Sequence, residues 1–505
     1  MKRPFLLTTA WILVLSVLLM TGCLSARLPE ESGEPSSVKP TETKMEKTDA
    51  PSDPARETPA ETTASLPTET LPGETTGSAL SETGLPHETE PYETAPPETS
   101  PPEPEIPEGM RIFFGRLMDE NIAAVNARTL EAEGSGLYDV LSAHTWLNEE
   151  VLALINTYSL PERTFYGARA VTPELREEIL ANRNIGYLSD FPGTEVPLRC
   201  GIISENASVR SFPTSMRACD SLDGKAFDYF QESMFQIGEG VLVLHESLDG
   251  QWAFVQGSNY FGWVHEENIA FTSEEEFRSF LTGKDFAVAV RPGIRVSKTL
   301  PAGDLYERTL RLGTILPVKE FREDAVTLVF PLRNGVGELE REDVVLANNG
   351  AFSAGFVPYS ADQLISVARG MLGQEYGWGD ERGNYDCSSF TGLVYRCFGI
   401  FNPRNSSQQR YSGATVKDFF GLSMADKTAA FEAAPGAVLV MSGHVMLYEG
   451  VVDGRHMVLH ANTFYVDADG VTHEVQKVAE APIEDLHRTN GTSFTEAIQL
   501  MVCYP

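Results

Sequence analysis

Apolar residues between positions 201 and 271 fall into short alternating runs, at 241–245, 252–256 and 261–264, each broken by Gly or Asp. A period of two with frequent turns predicts short strands curled into a small barrel. The stretch 286–346 keeps the same rhythm through 288–290, 314–318 and 326–330 and closes on Val344 and Val345, which predicts a second barrel in tandem. Ahead of them, residues 130–198 show helical spacing over 148–155 and 172–182 mixed with Pro and Tyr, a small and mostly helical cap. After Pro358 the period lengthens. Ser360 and Gln363 form a capping-box pair before Leu364, Val367, Ala368 and Met371, and Gly373 is expected to end that helix. Phe390, Leu393, Val394 and Cys397 recur at three and four residues, so a second helix carries Cys387 in its first turn. A strand-rich region spans 437–465. Helices first and an antiparallel sheet afterwards is an α+β order.

The first 108 residues obey different rules. Residues 1–23 begin with Lys2 and Arg3, run through an apolar stretch from Trp11 to Met20, and end on Thr21, Gly22 and Cys23. The apolar stretch is too short to span a bilayer and reads as a secretory signal. Small residues directly before a Cys resemble the lipobox of bacterial lipoproteins, in which Cys23 would be lipidated and become the first residue; Met20 stands where that motif usually has Leu. Ordinary cleavage with an incidental Cys stays open. Residues 24–108 are Thr, Glu, Pro and Ser with almost no large apolar side chains, and hold 19 acidic against 5 basic residues. Such a segment cannot bury enough surface to offset its chain entropy, so it is expected to be a disordered tether.

Charge narrows the function. The chain carries a formal −33, of which −14 lies in the tether, so the rest of the chain is left at −19. Phosphate binding needs a basic surface, which argues against nucleic acid as a partner. Six cysteines, Cys23, Cys200, Cys219, Cys387, Cys397 and Cys503, make no dense disulfide framework. Cys200 and Cys219 could bridge or remain buried thiols. No CxxC pair occurs and the nine His are scattered, so no metal site and no cofactor are expected.

The chemistry is concentrated around Cys387. Asp386 offers an N-cap, the thiol follows at once, and the helix end supplies roughly half a positive charge with unpaired amide donors, a setting that favours thiolate and can hold an oxyanion. His444 opens one apolar run and His460 closes another, so strands would present a base and its orienting partner to the thiol. Asn462, His456 and His473 are competitors for the orienting place. Cys397, on the apolar face, reads as packing.

Tyr376 with Trp378 and Gly379, Asp386 with Cys387 and Ser388, residues 403–409, Pro435 with Gly436, His444 with Val445 and Tyr448, and Leu459 with His460 and Ala461 together resemble the NlpC/P60 family of cell-wall peptidases. Residues 207–214 and 260–264 resemble a bacterial SH3 domain. The whole resembles a multidomain branch of that family with an N-terminal stabilising domain and two SH3 barrels. The resemblance implies a papain-like core that cleaves peptidoglycan stem peptides or muropeptides, usually between γ-D-glutamate and the following diamino acid. It assigns Cys387 as nucleophile, His444 as base and His460 as its orienting residue. Tyr376 would lie beside the oxyanion site; Asp386, Ser388 and Ser406 would line the peptide pocket. The first barrel would help select a free N-terminal L-alanine, with Tyr260 reaching the ligand. Two positions depart from the family pattern: Ser389 replaces the Gly of the DCSG motif, and Ala437 replaces the Asp after Gly436.

The resulting organisation is a lipoprotein-type signal over 1–23, the tether over 24–108, the cap over 109–199, barrels over 200–275 and 283–348, and the peptidase domain over 358–505. The expected protein is a monomer held by the Cys23 lipid on the outer face of the cell membrane. Two rival classes remain, a non-catalytic wall-binding lipoprotein and a papain-like amidase or transpeptidase with another acyl donor.

Overall fold

The computed structural model describes residues 145–222, 227–299, 305–410 and 415–504. The signal, Cys23, the tether and the cap residues 109–144 lie outside the described residues.

The cap consists of helices Asn148–Ile155, Pro173–Asn182 and Gly186–Asp190, with a small sheet formed by Phe165–Tyr166, Arg169–Ala170 and Ala218–Cys219. Thr172 accepts from the Leu175 amide and Pro173 occupies the first turn, where a missing N–H costs nothing. The fully buried Trp146 donates from Nε1 to Oε1 of Gln256 at 2.9 Å, tying the cap to the first barrel.

That barrel is a seven-stranded antiparallel sheet in the order Ile269–Thr272, Arg199–Ile203, Gly240–Glu246, Trp252–Gln256, Phe261–His265, Ala207–Arg210, Gln231–Phe235. One face closes on Val209, Phe235, Val241, Val243, Val255 and Ile269. The other face, with Leu242, Leu244, Phe254 and Trp263, enters a larger core shared with the cap and the second β domain. Burial on both faces hides every residue of Trp252–Gln256, four apolar and the fifth, Gln256, satisfied by Trp146. Cys200 and Cys219 are free thiols.

The second β domain follows helix Glu274–Leu281. It holds a five-stranded sheet, ordered Leu339–Ala347, Ala325–Arg333, Ile315–Phe321, Phe286–Ala289, Phe352–Ala354, and a ribbon of Ile294–Thr299 with Leu305–Leu310. Its Phe286, Val288, Leu312 and Ile315 do not close a core of their own. They pack with Leu364, Phe390 and Val394 of the C-terminal domain.

In the C-terminal domain Ser360 caps helix Ala361–Arg369 by accepting from the Gln363 amide. The helix stops at Gly370, earlier than Gly373. Buried Met371 continues the apolar face into a tight turn, so the hydrophobic period outruns the helix; Gly373, at φ +84°, lies beyond it and donates to Val478. A six-stranded antiparallel sheet is ordered Thr415–Asp418, Leu500–Cys503, Val438–Met441, His444–Val452, Arg455–Val466, Thr472–Pro482. Helix Cys387–Arg396 lies on this sheet, with Phe390 and Val394 against Val445, Leu447, Leu459 and Ala461. Phe390, Val394, Val445, Leu447 and Leu459 each contribute roughly 1.5–3 kcal/mol by leaving water, which holds the helix against the adjacent strands His444–Val452 and Arg455–Val466. Cys397 is fully buried in the same core.

Candidate active site

The helix that carries Cys387 begins with a two-way lock. Asp386 Oδ1 accepts from the Ser389 amide at 2.8 Å, and Ser389 Oγ accepts from the Asp386 amide at 3.0 Å. The departure from Gly at 389 thus completes a capping box that glycine could not form. The Cys387 sulfur is half-buried and lies where the Val445 and Ser388 amides favour its anion. Burial, seconded by the Asp386 carboxylate, outweighs those amides and pushes the thiol up to about 12. The thiolate expected from the helix end is therefore not the resting form; a neutral thiol is.

On one side of the sulfur the wall is charged. Asp386 is buried and accepts from the Gly379 amide (3.1 Å), the Ser388 hydroxyl (3.1 Å) and Arg404, whose Nη2 stands 2.6 Å from Oδ2. Arg404 also donates to Ser388 Oγ (2.9 Å) and to Ser233 Oγ of the first barrel (2.8 Å), and its Nη2 is 3.4 Å from Asp380. Asp380 in turn meets Arg311 of the second β domain at 3.1 Å. The segment preceding Cys387 is held against the first barrel so closely that a Cβ at Gly379, φ +57°, would stand 2.7 Å from the Gln231 carbonyl. Gln231 also donates to the Gly379 carbonyl at 2.9 Å.

On the other side the wall is apolar. His444 opens strand His444–Val452, and its Nε2 lies 2.9 Å from Nδ1 of His460 on the neighbouring strand Arg455–Val466. Both rings are buried, and Phe494 packs edge-on against each, with centroids 6.1 and 6.3 Å away. Burial holds His460 down to about 4, and burial, then His460, then Arg488 hold His444 well below its ordinary value. Both imidazoles are neutral at neutral pH. His456 instead faces Tyr448 at 2.9 Å and His473 faces Asp467 at 2.8 Å, so neither competes for His444.

Tyr376 is half-buried above the site, its amide donating to Gln476 at 2.9 Å and its ring meeting Phe227 of the first barrel at 6.3 Å. Burial and the neighbouring Cys387 and Asp386 raise its phenol. Trp378 packs on Phe227 too, at 5.8 Å, and so lies where the two domains meet. Tyr260 donates to Glu232 at 2.9 Å, and Glu232 is pushed up to about 7, mainly by burial, with Arg404 and Arg210 opposing. Ser406 starts the four-residue helix Ser406–Gln409, whose Gln409 donates to the Ser388 carbonyl at 2.8 Å. Among the described residues no group of acidic, His and Cys side chains could hold a metal.

Sequence reasoning did not single out Glu232, Arg311, Arg404 or Asp380. Glu232 had a faint signal, a carboxylate on an otherwise strand-like run. Arg404 lay within the quoted 403–409 stretch; Arg311 and Asp380 meet only through the tertiary fold.

A thiol at the start of a helix laid on an antiparallel sheet, with paired histidines on two adjacent strands, is the papain-like arrangement. Residues 373–479 match the NlpC/P60 family, and residues 218–265 match an SH3 domain of the SH3b1 type. The chain thus carries an NlpC/P60 domain preceded by a bacterial SH3 domain. It is 27% identical over 196 residues, 37% of this chain, to a gamma-D-glutamyl-L-lysine dipeptidyl-peptidase of Bacillus cereus, of whose length the match spans 56%. Its fold is similar to that of an NlpC/P60 endopeptidase from Photobacterium damselae subsp. piscicida, with a TM-score of 0.56 and 21% identity, covering 74% of this chain and 86% of that one. An NlpC/P60 family protein from Bacillus cereus aligns with a TM-score of 0.44 and 19% identity over 60% of this chain and 99% of its own.

Proposed function

We propose that the protein is an exported cysteine endopeptidase that hydrolyses peptidoglycan stem peptides at the bond between γ-D-glutamate and the following diamino acid. The observation that carries this reading is the 2.9 Å contact between His444 Nε2 and His460 Nδ1, on strands whose neighbouring amide, Val445, meets the Cys387 sulfur. With Nε2 engaged by His460, the nitrogen left to face the thiol is Nδ1. The tautomer that leaves Nδ1 free has Nε2–H donating to His460.

His444 Nδ1 takes the thiol proton as Cys387 attacks the γ-glutamyl carbonyl, forming a C–S bond. Amides at the helix start, with Tyr376 beside them, stabilise the oxyanion. The imidazolium returns the proton to the amine of the diamino acid, and the C–N bond breaks. Water, deprotonated by the same imidazole, then releases the glutamyl product and restores the thiol. His460 orients the ring throughout. Arg404 holds Asp386 and Ser388 as the edge of the peptide pocket, to which Ser406 belongs. Glu232 and Tyr260 form an acidic corner suited to a free N-terminal amine, which would restrict the enzyme to short fragments. The dipeptidyl-peptidase relative supports this choice of bond.

Incubation with L-Ala-γ-D-Glu-diamino acid peptides, followed by mass analysis, should give the dipeptide and the free diamino acid. Cys387→Ala should give neither. Wild-type protein that leaves the γ-glutamyl bond intact would overturn the reading in favour of a wall-binding module. Blocking the amino terminus should sharply lower kcat/KM. For delivery, Cys23→Ala should shift the protein from the membrane fraction to the medium.

A further inference from the structure

The hairpin that brings Phe494 to the two histidines carries a charged group that the mechanism above does not use. Its rungs are defined by Phe494 N–H donating to Leu486 O at 2.8 Å and Arg488 N–H donating to Thr492 O at 2.9 Å, with His487 opposite Ser493. Side chains alternate faces along such a ladder. Leu486 and Phe494 are opposite each other and buried, so Arg488 and Thr492, one rung pair further on, share their face. That is the face Phe494 turns toward His444 and His460.

Arg488 is half-exposed, and among the described residues its guanidinium has no carboxylate partner, although the chain holds 72 acidic against 39 basic residues. The electrostatic pull of Arg488 on His444 agrees with this placement. The other arginines near the site are engaged: Arg404 with Asp386 and Asp380, Arg311 with Asp380, Arg396 with Glu239. Those pairs lie on the Asp386 side of the sulfur. Arg488 lies on the histidine side, where the base hands its proton to the departing amine.

We propose that Arg488 is a carboxylate-binding residue for the leaving side of the substrate, recognising a free carboxyl group on the diamino acid released by cleavage. This rests on the peptidase reading above. Two sources present the same chemistry, the α-carboxylate of a diamino acid at the peptide's C-terminus and a second carboxylate on its side chain. A planar guanidinium suits either through a forked pair of hydrogen bonds.

The test uses the full-length enzyme and three peptides: one ending in the free diamino acid, the same peptide as its C-terminal carboxamide, and a carboxamide whose diamino acid bears a side-chain carboxylate. A charge-assisted hydrogen bond corresponds to roughly ten- to hundredfold in kcat/KM, so the wild type should prefer the free acid over the plain carboxamide by that factor. In Arg488→Gln the ratio should collapse to about one, and Arg488→Lys should recover part of it. Recovery of rate by the third peptide would identify the side-chain carboxylate as a sufficient source; no recovery would restrict the subsite to the α-carboxylate. A wild type that cuts acid and carboxamide equally, or an Arg488→Gln variant that keeps the ratio, overturns the subsite while leaving the peptidase reading intact. Failure of the wild type to cut any of the three overturns both.

Discussion

The two walls beside Cys387 are built on opposite principles. Toward the first barrel, Asp386 and Asp380 are buried carboxylates neutralised by Arg404 and Arg311, drawn from two different parts of the chain. Toward the sheet, His444 and His460 are buried with no charge at all, flanked by Phe494. Buried charges survive only when compensated, so the first wall depends on every member being present. The second depends on its members staying neutral, which burial enforces as the largest cause, with no opposite charge needed. The Cys387 sulfur between them meets an ionic frame on one side and, on the proposed reading, its base on the other.

The largest effect should come from removing the proposed base. His444→Ala is expected to lower kcat by about 10³-fold while the folded state survives, because the change removes a neutral group. Steady-state kinetics alongside a denaturation curve would separate the two; a variant that lost stability and activity together would make the histidine wall structural. The charged wall should behave the other way round. Arg404→Met leaves Asp386 buried without a cation and Asp380 with Arg311 alone, and should cost about 3–5 kcal/mol in urea unfolding. A loss below about 1 kcal/mol would mean that water reaches the site and that the two walls are not distinct.

Arg311→Met sharpens the contrast one step further out. Arg311 pairs with Asp380, donates to the Asn384 carbonyl at 2.7 Å and covers the Tyr385 ring at 4.6 Å. Asp380 and Arg382 adopt φ of +63° and +60°, strained for residues with a Cβ, so this segment keeps its shape only when held. Because Arg404 remains, the expected cost is smaller, about 1–3 kcal/mol, with a lower kcat at unchanged KM. Full activity in this variant would show that the second β domain does not support the site.

The two walls also differ in how far the sequence announces them. Cys387, Asp386 and His444 sit where a helix start or strand start is visible from local spacing alone, whereas His460 closes an apolar run in the sequence but lies within the strand Arg455–Val466. The capping box at Ser389 and the strands on either side of the histidines follow from the same local rules. The charged wall is invisible at that level. Arg311 and Asp380 are 69 positions apart in the numbering and share no motif, and Gly379 looks like a loop residue until Gln231 is packed against it. The second β domain reads as a barrel by rhythm, but its Leu312 and Ile315 serve the neighbouring core, a partnership periodicity cannot specify. Arg488 lies in a turn-rich segment without periodicity, and only the hairpin register gives its side chain a direction.

The smallest effect is the one that tests neutrality itself. Unfolded histidine titrates near about 6.5, whereas His460 in the fold titrates at about 4 and His444 well below 6.5. A lowered folded value means that the native state resists protonation. The stability contribution is therefore complete above about pH 6.5 and is lost as pH falls toward about 4. The acid limb of kcat/KM, governed by protonation of the proposed base, should then lie below pH 6.5. Arg488→Gln removes one of the three causes that depress His444, so its acid limb should move upward, toward 6.5, by less than one unit, since burial and His460 remain. A wild-type limb at or above 6.5 would mean that the histidine wall is wet in solution, and the contrast with the charged wall would fail at its neutral side.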